Sequence, residues 1–314
     1  MKDGSKWGVC ATVKSSAREI LEFAAYYLDL GAHRVWIYLD AACPDAMHAL
    51  KAHPKCRVLL CDTAYWRRQG GKPPVKHQVR QSRNATRSLS RASDVDWLLH
   101  VDVDEFLVCD QPIDTLLSDL GPDVITARVR PMEALAPSGD SCPTAFKRFI
   151  PSGPERQSLV EQIYPDYAHV LKGGFLSHVA GKVFVRTGKP DMTLRIHNAF
   201  QGDIMNPGEV MLNNCSLAHL HAIDWTTWRA KFDYRHTKGA YRSGLAPAIP
   251  SDQNATTPHQ FFEELLQRDG EQGLKTFFNA VCADTPQLRA RLQAHDLLTL
   301  KDLQLAKKQR QHFP

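Results

Sequence analysis

Acidic chemistry is densest at Trp97-Leu98-Leu99-His100-Val101-Asp102-Val103-Asp104-Glu105-Phe106, where an apolar run breaks into three carboxylates within four residues. In a regular strand Asp102 and Asp104 share one face, with Val103 and Glu105 on the other. Carboxylates this close repel one another, and a hard cation with oxygen ligands relieves that repulsion. The pattern predicts a site for a hard metal cation rather than a plain acidic turn. A second feature is basic: Arg67, Arg68, Lys72, Lys76, Arg80, Arg83, Arg87 and Arg91 follow one another with no acid between them. Lys76, Arg80, Arg83 and Arg87 recur at helical spacing, which suits either a solvated helix face or a surface turned to an anion. The third is His219-Leu220-His221, whose imidazoles share one side if the chain is extended. A metal would use that arrangement, and so would a pair of structural histidines.

The elements that must position these groups are legible from periodicity. Strand-like runs cover 6–13, 34–39, 56–61 and 96–101, and helical patterns cover 17–31, 44–53 and 76–91. In the first helix Ile20, Phe23, Ala24, Tyr27 and Leu28 fall on one face and Gly31 closes it. Strands separated by helices of this length need right-handed crossovers and hence a mostly parallel sheet. Ligands of such sheets bind beyond the carboxyl ends of the strands, where this chain carries Lys14, Asp40, Asp62 and the Asp102–Asp104 pair. From Asp123 the pattern changes to strands at 124–129 and 182–186, with loops rich in Pro, Gly and Ser over 137–154. Helices follow at 226–234, 258–269, 271–282 and 286–295, and the basic tail Lys307-Lys308-Gln309-Arg310 reads as frayed. Trp225, Trp228 and Phe232 at helical spacing read as core in preference to a sugar-stacking surface.

In this setting the sequence resembles the glycosyltransferases of the GT-A fold, in the broad family-2-like group that is also similar to family 92. The resembling pieces run in family order: Thr12-Val13-Lys14-Ser15-Ser16-Ala17-Arg18-Glu19 with Glu22-Phe23, then Tyr27-Leu28-Asp29-Leu30-Gly31, Val35-Trp36-Ile37-Tyr38-Leu39-Asp40, Gln78 through Asn84, and the D-x-D-E-F strand end. Gly181-Lys182-Val183-Phe184-Val185-Arg186 and His219-Leu220-His221 with Trp225, Trp228 and Lys231 follow later. The resemblance implies an α/β GT-A (Rossmann-like) fold, its mostly parallel sheet flanked by helices, with a helical C-terminal region. It also implies roles. Asp40 would contact the nucleotide base or ribose, with Lys14 near the donor phosphates and Lys76, Arg80 and Arg83 neutralising charge there. Asn84 would offer a hydrogen bond, and Asp102 with Val103 would touch the ribose or the metal's water shell. Asp104 would bind Mn2+ or Mg2+ directly, and a histidine from the later half would complete its shell, with His219 first, His221 second and His197 third. Glu105 and Lys182 fall beside donor or acceptor. Where the family commonly has Lys-Asn-Glu after the first strand, this chain has Lys14-Ser15-Ser16, leaving Glu19 and Glu22 as the nearest glutamates.

An inverting transfer needs a carboxylate base near the acceptor hydroxyl. Asp191 and Asp166 lead the candidates, with Asp140, Glu155 and Glu161 behind them. The expected division is a donor-binding half over 1–122, an acceptor-side half with the metal-completing histidine over 123–235, and a helical region over 236–314. The expected activity is metal-dependent hexosyl transfer from a nucleotide sugar, UDP-linked for preference, to a glycan, lipid-linked or small-molecule acceptor. The competing reading is a non-catalytic protein that binds phosphate, nucleotide or nucleic acid through the Arg67–Arg91 face.

Composition bounds these readings. With 314 residues, 43% hydrophobic and 23% charged, the chain is an ordinary globular one, long enough to bury a core without structural metal or disulfide. A net charge of +5 is too mild to mark a nucleic-acid binder, so nucleic acid is not an expected partner. The start shows no secretory signal and no run reaches the ~20 apolar residues of a membrane span. Eight cysteines without a C-x-x-C pair then read as reduced thiols of a cytoplasmic protein, at most peripheral to an inner membrane.

Overall fold

A computed structural model of the chain describes residues 4–139, 141–248 and 256–314. In chain order the elements are β1 (Trp7–Val13), α1 (Ala17–Asp29), β2 (Arg34–Leu39), α2 (Pro44–Ala52), β3 (Cys56–Leu60), α3 (Thr63–Arg68), α4 (His77–Arg91), β4 (Trp97–His100), β5 (Glu105–Cys109), α5 (Ile113–Ser118) and β6 (Thr126–Ala134). There follow β7 (Ala145–Arg148), α6 (Arg156–Ile163), β8 (Lys182–Arg186), β9 (Met192–Leu194), β10 (Ala199–Gln201), β11 (Ile204–Met205), β12 (Glu209–His219), α7 (Trp225–Thr237), α8 (Pro258–Val281), α9 (Pro286–Gln293), β13 (Leu298–Leu300) and α10 (Leu305–His312). The chain forms two compact units: residues 1–130, 180–217 and 303–314 make the first, and 131–179 with 218–302 make the second.

The first unit has the expected α/β character. Its strands run β3-β2-β1-β4-β8-β6. The pairs β2–β3, β1–β2 and β1–β4 are parallel, and β8 then lies antiparallel between β4 and β6. Alternation sends Cys10, Trp36, Tyr38 and Leu98 to one face, where they pack with Tyr65 and Trp66 of α3 and with Ala85 and Leu89 of α4. The opposite face meets α1, where Trp7 lies edge-on to Tyr27 at 6.4 Å. Gly8 is fixed by packing, since a Cβ there would stand 2.5 Å from the Trp36 ring. Ser16 caps α1 in a reciprocal capping box with Glu19, which employs that glutamate structurally, and Glu22 pairs with Arg18 at 2.8 Å.

Two expectations fail here. The basic tail is ordered: α10 lies along α1, with Lys308 paired to Asp29 and its ammonium 5.6 Å from the centre of the Tyr26 ring. The cysteines are not all thiols. Cys109 and Cys215 form a disulfide, because β5 and β12 pair and bring residues 106 apart in sequence side by side. Of the others Cys10, Cys56, Cys61 and Cys282 are buried, and burial pushes their thiols up to about 12. Among the described residues no helix is long and apolar enough to cross a membrane.

The second unit pairs the end of β6 with β7 and β7 with β13, all antiparallel, against α6–α9. Its core is aromatic: Trp228, Phe232, Tyr241, Phe262, Phe277 and Phe278 are buried in one cluster. Trp228 and Phe232 are thus core, as their spacing predicts. The two helices expected over 258–282 are the two arms of α8, which kinks at Gly270 through a left-handed φ of 59° that glycine accepts at little cost. Buried among these elements, Lys147 pairs with Glu133 at 3.1 Å and donates to the Gly174 and Val281 carbonyls at 3.0 and 3.1 Å.

Removing one partner of a buried ion pair strands the other charge, so Lys147→Met is expected to destabilise the protein by about 3–5 kcal/mol. Burial raises the Glu133 carboxyl, but Lys147, with the Ser177 hydrogen bonds and His219, outweighs it and holds the group below its ordinary 4.5. Its contribution is therefore present above that pH and lost on acidification. In the variant burial dominates and the carboxyl moves up, so part of the loss is recovered at low pH. Urea unfolding near pH 5 and pH 8 reads the effect; a loss independent of pH would show that Glu133 does not depend on Lys147.

Candidate functional site

The carboxylates after β4 do not continue as a strand. Val101 still donates to the Cys10 carbonyl at 3.2 Å, after which the chain turns through Asp102–Asp104 and re-enters β5 at Glu105. The turn is closed twice: Glu105 N–H donates to the Asp102 carbonyl at 3.1 Å, and Asp102 N–H donates to Glu105 Oε2 at 2.8 Å. The same-face placement expected for Asp102 and Asp104 in a regular strand is thus replaced by a tight turn. Glu105 faces inward and is buried, while Asp102, Val103 and Asp104 are half-buried.

A cation does relieve the repulsion here, and the chain supplies it. Lys182, the first residue of β8 and wholly buried, donates through Nζ to Asp102 Oδ2 at 2.7 Å and lies 3.2 Å from Glu105 Oε2. Gln81 of α4 donates to the other Asp102 oxygen. Burial raises the Asp102 carboxyl, but the Lys182 ammonium, its hydrogen bond and the other groups around it together hold the group far below the carboxylate range. Burial works against the Lys182 charge, yet Asp102 and Glu105 drive its pKa above the ordinary lysine value. His100, beneath the turn, is depressed to about 3 by burial and the Lys182 ammonium, so it is neutral near pH 7. Asp102, Asp104 and Glu105 thus crowd the turn at the carboxyl ends of the strands, and Lys182 meets the first and the last of them. Their oxygen donors fit a divalent cation.

Asp40 ends β2 and is held from α4: His77 Nδ1 lies 3.1 Å from its Oδ2, and Arg80 reaches the same oxygen through Nε at 2.9 Å and Nη2 at 2.8 Å. Burial raises Asp40, and His77 and Arg80 together bring it below the ordinary value. The two predicted donor contacts Asp40 and Arg80 are therefore partners of one another. Lys14 and Lys76 are exposed at the end of β1 and the start of α4, and Arg83 is exposed on α4. Asn84 is a buried amide that accepts from Tyr65 Oη at 2.5 Å and donates to Thr12 Oγ1 at 3.0 Å, which leaves it knitting α3, α4 and β1 together.

His197 shares the first unit with the acids. Its Nδ1 lies 2.9 Å from the Gly181 carbonyl, next to Lys182, and its charge lowers the Asp102 carboxyl. His219 belongs to the second unit, where Nδ1 is 3.2 Å from Ser177 Oγ. His221 is buried, with Nε2 3.0 Å from Tyr241 Oη, and burial holds it well below 6.5. It is a structural imidazole. Asp191 stands in an exposed turn at φ 55°, Asp166, Glu155 and Glu161 are exposed in the second unit, and Asp140 lies outside the described residues. In the second unit His236, His259 and Glu263 offer ligand atoms within 4.8 Å of one another, a cluster that spacing did not single out. Sequence reasoning also missed Gln81 and His77, although both fall at helical intervals between Lys76 and Asn84.

No family model matches the chain, and no curated protein does. Among solved structures it is similar to TarS residues 1–349 from S. aureus, with 13% identity over 98% of this chain and 89% of that one and a TM-score of 0.36. It is also similar to the galactosyltransferase LgtC in complex with donor and acceptor sugar analogues, at 14% identity and a TM-score of 0.27. The match covers 57% of each chain, so this chain spans little more than half of that one's length. HddC from Yersinia pseudotuberculosis gives 8% identity over 46% of this chain and 69% of that one, with a TM-score of 0.27. Likeness at this level leaves the function to this chain's own residues.

If Lys182 is the counter-charge of the acidic turn, a double-mutant cycle on Lys182→Met and Glu105→Gln should give a coupling of about 1–3 kcal/mol in unfolding free energy. Strictly additive losses would show that the ammonium and the buried carboxylate do not sense each other.

Proposed function

We propose that the protein is a metal-dependent glycosyltransferase of the GT-A type that takes a sugar from a nucleotide-sugar donor. The observation that carries the reading is the cluster of Asp102, Asp104 and Glu105 in a tight turn at the carboxyl ends of parallel strands, ordered through Lys182. That edge is where an open α/β sheet binds its ligands.

Lys182 and Gln81 occupy both oxygens of Asp102, which makes Asp102 a positioning group that fixes the turn and the carboxylate next to it. Asp104 would hold Mn2+ or Mg2+, with His197 of the same unit as the imidazole that completes the set. Such a cation supplies electrostatic stabilisation to the diphosphate that departs when the sugar is transferred. Exposed Lys14 and Arg83 would bind the donor's phosphates, and Asp40, oriented by His77 and Arg80, would accept from its ribose or base. Neutral His100 adds no positive charge beneath the turn. The acceptor is a glycan, a lipid-linked saccharide or a small molecule, and transfer with inversion is proposed, with Asp191 of the same unit as base.

Calorimetry should detect UDP binding in the presence of Mn2+ and a marked weakening when the metal is chelated. With UDP-sugars and Mn2+, Asp104→Ala is expected to lower UDP release by at least about 100-fold, the scale on which losing a transition-state electrostatic contact is felt. Circular dichroism checks that the variant stays folded. A folded Asp104→Ala protein that still turns over would remove the metal assignment.

A further inference from the structure

The sequence left the arginine row of α4 between two readings, and the structure gives it a shape. A groove of about 960 Å³ runs along the outer face of α4 within the first unit, walled on the other side by residues 193–198 and backed by α3. Arg83, Arg87 and Arg91 line one wall and Arg195 the other, and no Asp or Glu lines it. Successive i, i+4 arginines stand about 6 Å apart along a helix axis. Several arginines of this chain do meet a carboxylate: Arg34 with Asp94, Arg128 with Glu209, Arg229 with Glu271, Arg289 with Asp284. None of the four groove arginines has a carboxylate partner among the described residues. Like charges at i, i+4 repel, so the folded chain gains nothing by lining them up. An outside polyanion would.

The groove also has a direction. Gln78 and His197 line its end beside the acidic turn, and Arg91 lines the end where α4 stops before β4 begins. It therefore runs from the strands' carboxyl ends toward their amino ends, a longer path than a nucleoside diphosphate at the turn would need. Its polar lining of Gln69, Ser82, Thr193 and Asn198 suits sugar hydroxyls. Nucleic acid would want open aromatic faces for its bases. The groove's Tyr65 and Trp66 are only 2% and 1% exposed, and Arg195 covers the Phe200 ring at 4.3 Å.

We infer that this groove is a binding subsite for a linear acidic glycan with one negative charge, phosphate or carboxylate, on each repeat. The glycan's terminal unit lies toward the Asp102–Asp104 turn and its body along Arg87, Arg91 and Arg195. That this glycan is the acceptor rests on the glycosyltransferase reading; its binding does not.

Binding is measured by fluorescence anisotropy on the full chain with an end-labelled oligogalacturonate, a phosphorylated dextran oligomer, a neutral malto-oligosaccharide and a single-stranded oligonucleotide of similar length. One or both acidic glycans should bind, and which one does identifies the charged group. Affinity should fall at least tenfold between about 50 and 200 mM salt, as expected when several ion contacts form together. Arg91→Gln combined with Arg195→Gln should weaken binding at least tenfold and leave UDP binding with Mn2+ unchanged. Arg91→Gln alone gives a smaller loss and serves if the pair fails to fold. Equal binding of the neutral glycan, tighter binding of the oligonucleotide, no binding of either acidic glycan, or undiminished binding by the folded variants would overturn the assignment. Acidic-glycan binding without any UDP binding would keep the groove and sink the glycosyltransferase reading instead.

Discussion

A buried ammonium holds the acidic turn together. Lys182 has no contact with water, and it keeps its charge there only because Asp102 and Glu105 meet it at 2.7 and 3.2 Å. Its own position is set by the backbone before it. Gly181 sits at φ +67°, and a Cβ there would strike the Val129 carbonyl oxygen, so only glycine lets β8 start close against β6. The order is therefore glycine, strand start, lysine, then turn. Were the ammonium to leave, the two carboxylates could share so small a volume only by taking up protons, and the fixed negative edge would be lost.

The second unit uses the same device for a different end. Glu133 and Lys147 are both buried and paired, and Glu133 also accepts from the backbone of Leu176 and Ser177 at 3.2 and 2.5 Å. The side chain of Ser177 in turn meets His219. Fully partnered buried pairs of this kind add little net stability, but they penalise any arrangement that separates them. In the first unit the pair lies next in the chain to Asp104, the residue proposed to act on ligand; in the second it is one contact away from His219, beyond Ser177.

Charge is arranged with similar economy on α4. Its inner face is neutral and bonded into the unit through Gln81, Asn84 and Ser88, the last 2.8 Å from Tyr38 Oη. Its first turn orients Asp40 through His77 and Arg80, and its outer face carries the arginines. One helix thus braces the acidic turn from within and presents positive charge without. This pairing of a negative edge with a positive groove suits a protein that manages anions, one held near a cation and another along a channel.

Much of the first unit is legible in the sequence. β1, α1, β2, α2, β3, α4 and β4 fall where periodicity puts them, because each is a strongly patterned stretch bounded by a Gly, Pro or capping residue. β5, β12 and α10 escape notice for lack of such a signal. β12 alternates weakly along its length, and α10 is polar all round, so that only docking on α1 orders it. The acidic residues could be picked from sequence because their crowding is local, within four positions. Their counter-charge could not, since Lys182 lies 80 residues away and its partner is chosen by antiparallel pairing of β8 with β4. For the same reason the thiols of Cys109 and Cys215 could not be matched from spacing. Residue types and short-range spacing determined which groups could bear charge and which segments would be strands or helices; long-range strand pairing decided which charges are neutralised inside the protein and which remain to face a ligand.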